Sequence, residues 1–366
     1  MTDGTDIPRV SAGTSDVTAG GCSFSAPATG HSATNQAQVS DSIPIVRSRL
    51  APDSVTGDRK VLLYDSPGLV DFNVQAIQDI QLDGPPVLMN RDLMSPYVWL
   101  EPDGRYGIMV RAVTRPGEPM TDTGIIWAGW STDGVHFAML DEPSIVPGTG
   151  ADKDSGGVED PTMVKMEDGS YVVYYTGVES DMSHGEMFYA SGPTVDKLVK
   201  TGVALASTKS LGNTKEATVD REKDGRWSLF YEYAADEASR VGLAIGPKVD
   251  GPWDEQPTPF MPREDGWDNW HLSTGPMLLD DPQMPVMFYN GATHDARWRI
   301  GWVAFDRELT RVVDRCIEPL ITPPPSPDRA ASDIAFAASC VSGNGEIWLY
   351  YSLEDRRLSR ARIRRS

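Results

Sequence analysis

The chain has 366 residues and a formal net charge of −20, with 53 Asp and Glu against 33 Lys and Arg. A surface this acidic repels phosphate backbones, which argues against nucleic acid as a partner and against a polyanionic substrate. Forty per cent apolar residues suffice for a substantial core, and 34 Gly with 28 Pro favour a turn-rich β protein.

Residues 1–42 are rich in Ser, Thr, Ala and Gly with almost no large apolar side chains. They read as a flexible leader ahead of a catalytic domain over 43–366. The leader has no apolar stretch of the secretory kind, and no apolar run in the chain reaches membrane-span length. A cytoplasmic protein without a membrane partner is expected, and self-association is left open. Cys22, Cys316 and Cys340 lie far apart with no Cys-x-x-Cys pair. Reduced thiols are the expectation, a Cys316–Cys340 bridge the alternative, and neither a metal site nor a cofactor is indicated.

From residue 102 onward one element recurs: a turn, then a strand ending in aromatics. It appears as Asp103-Gly104 leading to Arg111, Asp168-Gly169 leading to Tyr175, and Asp224-Gly225 leading to Tyr231. A copy without glycine runs from Pro282 to Tyr289, and a fifth runs from Asn344-Gly345 to Tyr351. The end positions 111, 175, 231, 289 and 351 are 64, 56, 58 and 62 residues apart. Asp-Gly or Asn-Gly between apolar runs is a hairpin signal, because glycine supplies the positive φ of a tight turn. Third strands follow at Ile125–Ser131, Met187–Ser191, Val241–Ile245 and Arg299–Phe305, and a basic final strand at Leu358–Ile363. Five such units predict an all-β, five-bladed β-propeller with four-stranded antiparallel blades.

In a propeller the first strand of each blade lines the central channel. The repeat puts the leading ends of those strands at Met94–Pro96, Glu159–Pro161, Lys215–Ala217, Ser273–Gly275 and Ser332–Ile334. Asp160, Glu216 and Asp333 then fall at equivalent positions and are expected to converge on one pocket. Glycosidic cleavage needs two carboxyl groups, one protonated to assist departure and one ionised to activate water. An acid ahead of a strand is more often a turn cap. Asp160 is singled out by its loop, where Gly156 and Gly157 are expected to allow close approach of a ligand and Pro161 fixes the following backbone. Trp127, Trp267, Trp270 and Tyr289 are candidate stacking surfaces for a sugar, although most of the tryptophans belong to packing between blades. His271, beside Trp270, is a hydroxyl or anion ligand or a structural histidine.

At these residues the chain resembles glycoside hydrolase family 130, the β-mannoside phosphorylases and β-mannosidases. The resemblance is carried by Val110-Arg111-Ala112, Ser131 to Phe137, Gly157 to Pro161, Lys215, Phe288 to Ala292, Trp298 to Asp306 and Glu318 to Pro323. It implies a five-bladed propeller, an inverting mechanism and Asp160 as the general acid. The chain departs from the phosphorylase pattern at Thr162, where the family has Arg, and at Glu186 and Glu232, near which further phosphate-holding cations are expected. Replacing cations by carboxylates repels a phosphate dianion.

The expected function is therefore an inverting glycoside hydrolase acting on β-mannosides or similar short oligosaccharides, with Asp160 as acid and Glu216 or Glu232 as base. Asn90, Arg91, Arg111, Trp127, Lys215, Trp270, His271, Asn290 and Asp333 are the expected sugar-binding set. The alternatives are a mannoside phosphorylase, an arabinanase-like or fructosidase-like five-bladed glycosidase, and a sugar-binding propeller without catalysis.

Overall fold

The computed structural model of the protein describes residues 68–207, 212–323, 333–343 and 345–366. The proposed leader, Cys22, Ser332 and the hairpin residue Asn344 lie outside them. Among the described residues the single α-helix is the short Pro86–Met89, and the rest of the regular structure is β.

The hairpin repeat folds as predicted. The turn glycines Gly104, Gly169, Gly225 and Gly345 have φ between +78° and +88°, a region open to them because they lack Cβ. The first sheet runs outward through Asp92–Leu100, Tyr106–Val113, Ile125–Ser131 and His136–Met139, and Gln81–Asp83 adds a fifth, parallel strand. The second comprises Gly157–Lys165, Tyr171–Val178, Gly185–Gly192 and Val199–Leu205. The third comprises Gly212–Arg221, Trp227–Ala235, Ala238–Gly246 and Asp254–Gln256.

The fourth repeat is interrupted. His271–Ser273, Asn290–Ala292 and Trp298–Ile300 form one small sheet, and Met277–Leu278, Val286–Met287, Val303–Phe305 and Val312–Arg315 form another. The fifth sheet comprises Ala335–Gly343, Glu346–Leu353, Arg357–Arg365 and, as its outer strand, Phe72–Asp79 from the opposite end of the described chain.

The core lies between these sheets. Tyr171–Val178 is buried along its whole length because both faces of its sheet are covered. Tyr175 packs with Trp99, Met109 and Phe188 between the first and second sheets. Tyr174 and Tyr231 pack between the second and third. Tyr350, Trp127 and Leu358 pack between the fifth and first. Each apolar layer therefore needs two neighbouring sheets to exist.

Polar side chains tie the inner strands together in the same order. The Tyr97 hydroxyl donates to the Met163 carbonyl at 2.8 Å, that of Thr162 to Ala217 at 2.6 Å, and that of Thr218 to Gly275 at 2.9 Å. Asn290 is fully buried; its Nδ2 donates to the Thr274 and Ala337 carbonyls and its Oδ1 accepts from the Ala337 N–H at 2.7 Å. The Val98 N–H donates to Ser339 Oγ at 2.7 Å, joining the fifth sheet to the first. This is the sheet order of a five-bladed propeller.

Asn290→Ala removes three hydrogen bonds and leaves the Ala337 N–H buried without its acceptor. Denaturant unfolding is expected to show a loss of about 1–3 kcal/mol, while alanine at the exposed Asn73 on the outermost strand changes stability by less than about 0.5 kcal/mol.

Candidate active site

Three inner strands break register at the same place. The pairing slips between Met94 and Tyr97, between Glu159 and Thr162, and between Lys215 and Thr218. Inside the three bulges Ser95, Asp160 and Glu216 have φ of +51°, +51° and +52°. An L-residue rarely takes this conformation, and here it turns three consecutive polar side chains of the ring towards one point. Ser95, Asp160, Glu216, Thr274 and Ala337 line a common pocket at the inner-strand ends.

The glycines before Asp160 serve the protein's own packing. A Cβ on Gly156 would lie 1.9 Å from the Glu179 carbonyl oxygen, and one on Gly157 would lie 2.1 Å from Thr123 Oγ1. The sequence reading assigned that space to a ligand; neighbouring chain occupies it.

Arg111 organises the charges. It is 9% exposed, donates to Glu159 Oε1 at 2.6 Å and to the Thr123 carbonyl at 2.8 and 3.0 Å, and faces both Asp160 oxygens at 3.3 and 3.4 Å. Asp160 also accepts from Ser95 Oγ at 2.5 Å and is hydrogen-bonded to the Glu216 side chain. Burial opposes ionisation of Asp160, but the Arg111 charge and these donors hold its carboxyl below the usual range. Burial, reinforced by the charges of Asp160 and Glu232, drives Glu216 well above it. Glu159 is also raised, chiefly by burial and against the pull of Arg111. Two carboxyls in hydrogen-bond contact are most stable sharing one proton, and the opposite directions of their shifts favour Glu216 as its holder.

Next to Glu216, Lys215 Nζ lies 3.5 Å from Glu232 Oε1, which also accepts from Ser239 Oγ at 2.8 Å. The Ser239 N–H donates to His271 Nδ1 at 3.2 Å, placing the ring proton on Nε2, and burial lowers the His271 pKa. Glu232, Lys215 and His271 thus form a second polar group beside the acid pair. Trp270 remains half-buried, packed edge-to-face with His294 at 4.6 Å between ring centroids.

Several expected positions are corrected. Asp333 is not the fifth counterpart of Asp160: its carboxylate pairs with Arg299 at 3.0 Å, and the bulge of the fifth strand falls later, between Ala337 and Ser339. Trp127 is 2% exposed and donates to the Leu140 carbonyl, so it is core. Tyr289 is fully buried and stacks on Trp267. Asn290 is consumed by the bridge to Ala337. Arg91 forms a two-point ion pair with Asp122, at 2.8 and 3.1 Å, beside the Thr123 carbonyl on which Arg111 rests; Asn90 is exposed at the end of the short helix. Arg111 itself lies opposite Met94, one residue beyond the true counterpart of Tyr175 and Tyr231.

Glu186 is buried and paired with Lys153 at 2.7 Å. Cys316 and Cys340 are both free thiols. Ser95, Glu159 and Ser239 escaped the sequence reading, although the register of Ser95 with Asp160 was available from the repeat. Among the described residues no group of three His, Cys, Asp or Glu could hold a metal ion, and no helix is long and apolar enough to cross a membrane.

A family model described as β-1,4-mannooligosaccharide phosphorylase, of glycoside hydrolase family 130, matches residues 115–364. Among solved structures the chain is similar to β-1,2-mannobiose phosphorylase from Listeria innocua, with 15% identity, 79% of this chain and 90% of that one covered, and a TM-score of 0.61. A glycosyl hydrolase from Bacteroides ovatus gives 22% identity, 74% and 84% coverage, and a TM-score of 0.60. A third structure, with 22% identity, 74% and 84% coverage and a TM-score of 0.63, is described with the statement that this family of mannoside phosphorylases contains glycoside hydrolases targeting β-1,2-mannosidic linkages in Candida mannan. A search of curated protein sequences gave no match.

The raised Glu216 carboxyl favours the folded state below its unfolded pKa, and that contribution disappears as pH rises through the folded value. Glu216→Gln removes the dependence. Its unfolding free energy relative to wild type is expected to improve steadily as the pH is raised from about 5 to about 8; a constant difference would contradict the assignment.

Proposed function

Because the chain belongs to glycoside hydrolase family 130 and so acts on glycosidic bonds, we propose that it hydrolyses β-mannosides or similar short oligosaccharides with inversion. The observation that carries hydrolysis over phosphorolysis is the state of the two cations. Arg111 is engaged by Glu159 and Asp160, and Lys215 faces Glu232. Phosphate entering here would have to displace carboxylates held at short range in a buried site.

In this reading Asp160 delivers a proton to the glycosidic oxygen as the C1–O bond breaks. Water attacks C1 from the opposite side and loses a proton to a carboxylate. The hydrogen bond between Asp160 and Glu216 leaves no room for a water between them. An inverting pair stands at roughly 6.5–9.5 Å, which favours Glu232, held by Lys215 and Ser239, as the base. Ser239 holds Glu232, and Trp270 and His271 supply the neighbouring sugar-facing groups. Residues 1–42 as a separate leader and a cytoplasmic location are part of the same proposal.

The family model's description and the Listeria neighbour favour a second reading, mannoside phosphorolysis. A panel of mannosides and other glycosides assayed with and without phosphate separates the two. Hydrolysis independent of phosphate is expected, with Asp160→Asn reducing it by about 10²–10⁴-fold. Glu232→Gln is expected to lose a similar factor and to recover turnover with azide, forming the glycosyl azide of opposite configuration. Release of a mannose phosphate only when phosphate is supplied establishes the second reading. Full activity in Asp160→Asn rejects both.

A further inference from the structure

The mechanism requires a protonated acid, yet Asp160 is surrounded by groups that favour its anion: the Arg111 guanidinium, the Ser95 hydroxyl and the hydrogen bond from Glu216. Taken alone it is a poor proton donor. Its contact with Glu216 resolves this. Both carboxyls leave equivalent bulges of adjacent inner strands with the same left-handed backbone, so their meeting is fixed by the chain. Glu216 is further pinned where its carbonyl accepts from the Thr274 hydroxyl of the fourth sheet. Pro161 and Ala217 follow the two acids, and the Thr162 hydroxyl bonds the Ala217 carbonyl at 2.6 Å, locking one bulge against the other.

We propose that Asp160 and Glu216 work as a single acid, in which Glu216 stores the proton and passes it across their hydrogen bond to Asp160 as Asp160 protonates the leaving oxygen. This rests on Asp160 being the acid of the function proposed above. At rest the pair is a carboxylic acid on Glu216 donating to a carboxylate on Asp160. During cleavage the Glu216 proton moves to Asp160 and one proton goes from Asp160 to the glycosidic oxygen, which takes the electron pair of the broken C1–O bond. Both carboxyls then stand ionised. The attacking water gives its oxygen to C1 and one proton to Glu232. That proton returns to Glu216 through solvent, so each cycle consumes one water and no net proton.

The charged groups facing the pair are consistent with this traffic. Arg111 and Glu159 lie on the Asp160 side, with Asp355 acting on Arg111 from the turn between two strands of the fifth sheet, and Lys215 and Glu232 lie on the Glu216 side. Arg111 is arranged to receive the Asp160 anion as soon as the proton leaves. Lys215 lowers and Glu232 raises the cost of ionising Glu216, so protonation of Glu232 during water attack eases loss of the Glu216 proton.

Two readouts on the intact protein test the pair. Infrared difference spectra at neutral pH report carboxylic-acid and carboxylate bands whatever the substrate. Wild type minus Glu216→Gln is expected to show the loss of a protonated carboxyl, and wild type minus Asp160→Asn the loss of an ionised one. The reverse assignment, or no protonated band from either residue, overturns the proposal.

The second readout is turnover. Glu216→Gln should lose about 10²–10⁴-fold on an oligosaccharide and less than about tenfold on 2,4-dinitrophenyl β-mannoside, whose leaving group needs no proton. Glu216→Asp, which keeps a titratable carboxyl, should recover part of the loss with a shifted alkaline limb of kcat/KM. Equal losses on both leaving groups reduce Glu216 to a binding role and also overturn the proposal. A chain that cleaves no mannoside refutes the function proposed above, and the infrared result still decides where the proton sits.

Discussion

A guanidinium buried between two sheets sets the electrostatics of this molecule. Arg111 and Lys215 face four carboxyls, Glu159, Asp160, Glu216 and Glu232, in a region largely closed to water. Two cations cannot hold four carboxylates ionised at low dielectric, so some must keep their protons. Arg111 decides which. Its contacts, with those from Ser95, favour ionised Asp160, while burial and neighbouring carboxylates favour the protonated form of Glu216. The guanidinium is seated by backbone: the Thr123 carbonyl accepts from two of its nitrogens, and a Cβ on Gly124 would collide with its side chain at 2.9 Å.

The propeller supplies the geometry on which those charges depend. Strands in successive sheets break register at the same depth, so residues more than fifty positions apart in sequence emerge at the same level of one channel. The positive φ at Ser95, Asp160 and Glu216 is a local cost that the flanking ladders and inter-sheet hydrogen bonds must sustain. Thr162, Thr218 and Asn290 form those bonds directly below the acids, which couples the stability of the ring to the placement of the pocket.

Much of this is legible in the sequence because the repeat is physical. Asp-Gly turns dictate hairpins, and aligning the hairpins brings Asp160 and Glu216 to equivalent positions. The alignment failed where the chain departs from its own pattern. The fifth strand places its bulge between Ala337 and Ser339, beyond Asp333, and Arg299 claims that carboxylate. Trp127, Tyr289 and Asn290 carry side chains suited to sugar binding, but burial between sheets uses them in packing, a difference that residue type cannot reveal. Gly156 and Gly157 do mark a close approach, but of neighbouring chain at Glu179 and Thr123 rather than of a ligand. Left-handed backbone at Ser, Asp and Glu has no sequence signature, so the contact between two acids came only from the structure. That contact also distinguishes the two glutamates: Glu216 is hydrogen-bonded to Asp160, whereas Glu232 is held by Lys215 and Ser239.

Family membership establishes chemistry at glycosidic bonds, and the charge arrangement argues for water as the acceptor. The most direct test is the anomeric configuration of the first-formed sugar, followed by proton NMR during cleavage of a β-mannoside. The account predicts the α-anomer, appearing without phosphate and ahead of mutarotation. A β-anomer as first product, or α-mannose 1-phosphate formed only when phosphate is present, would contradict it.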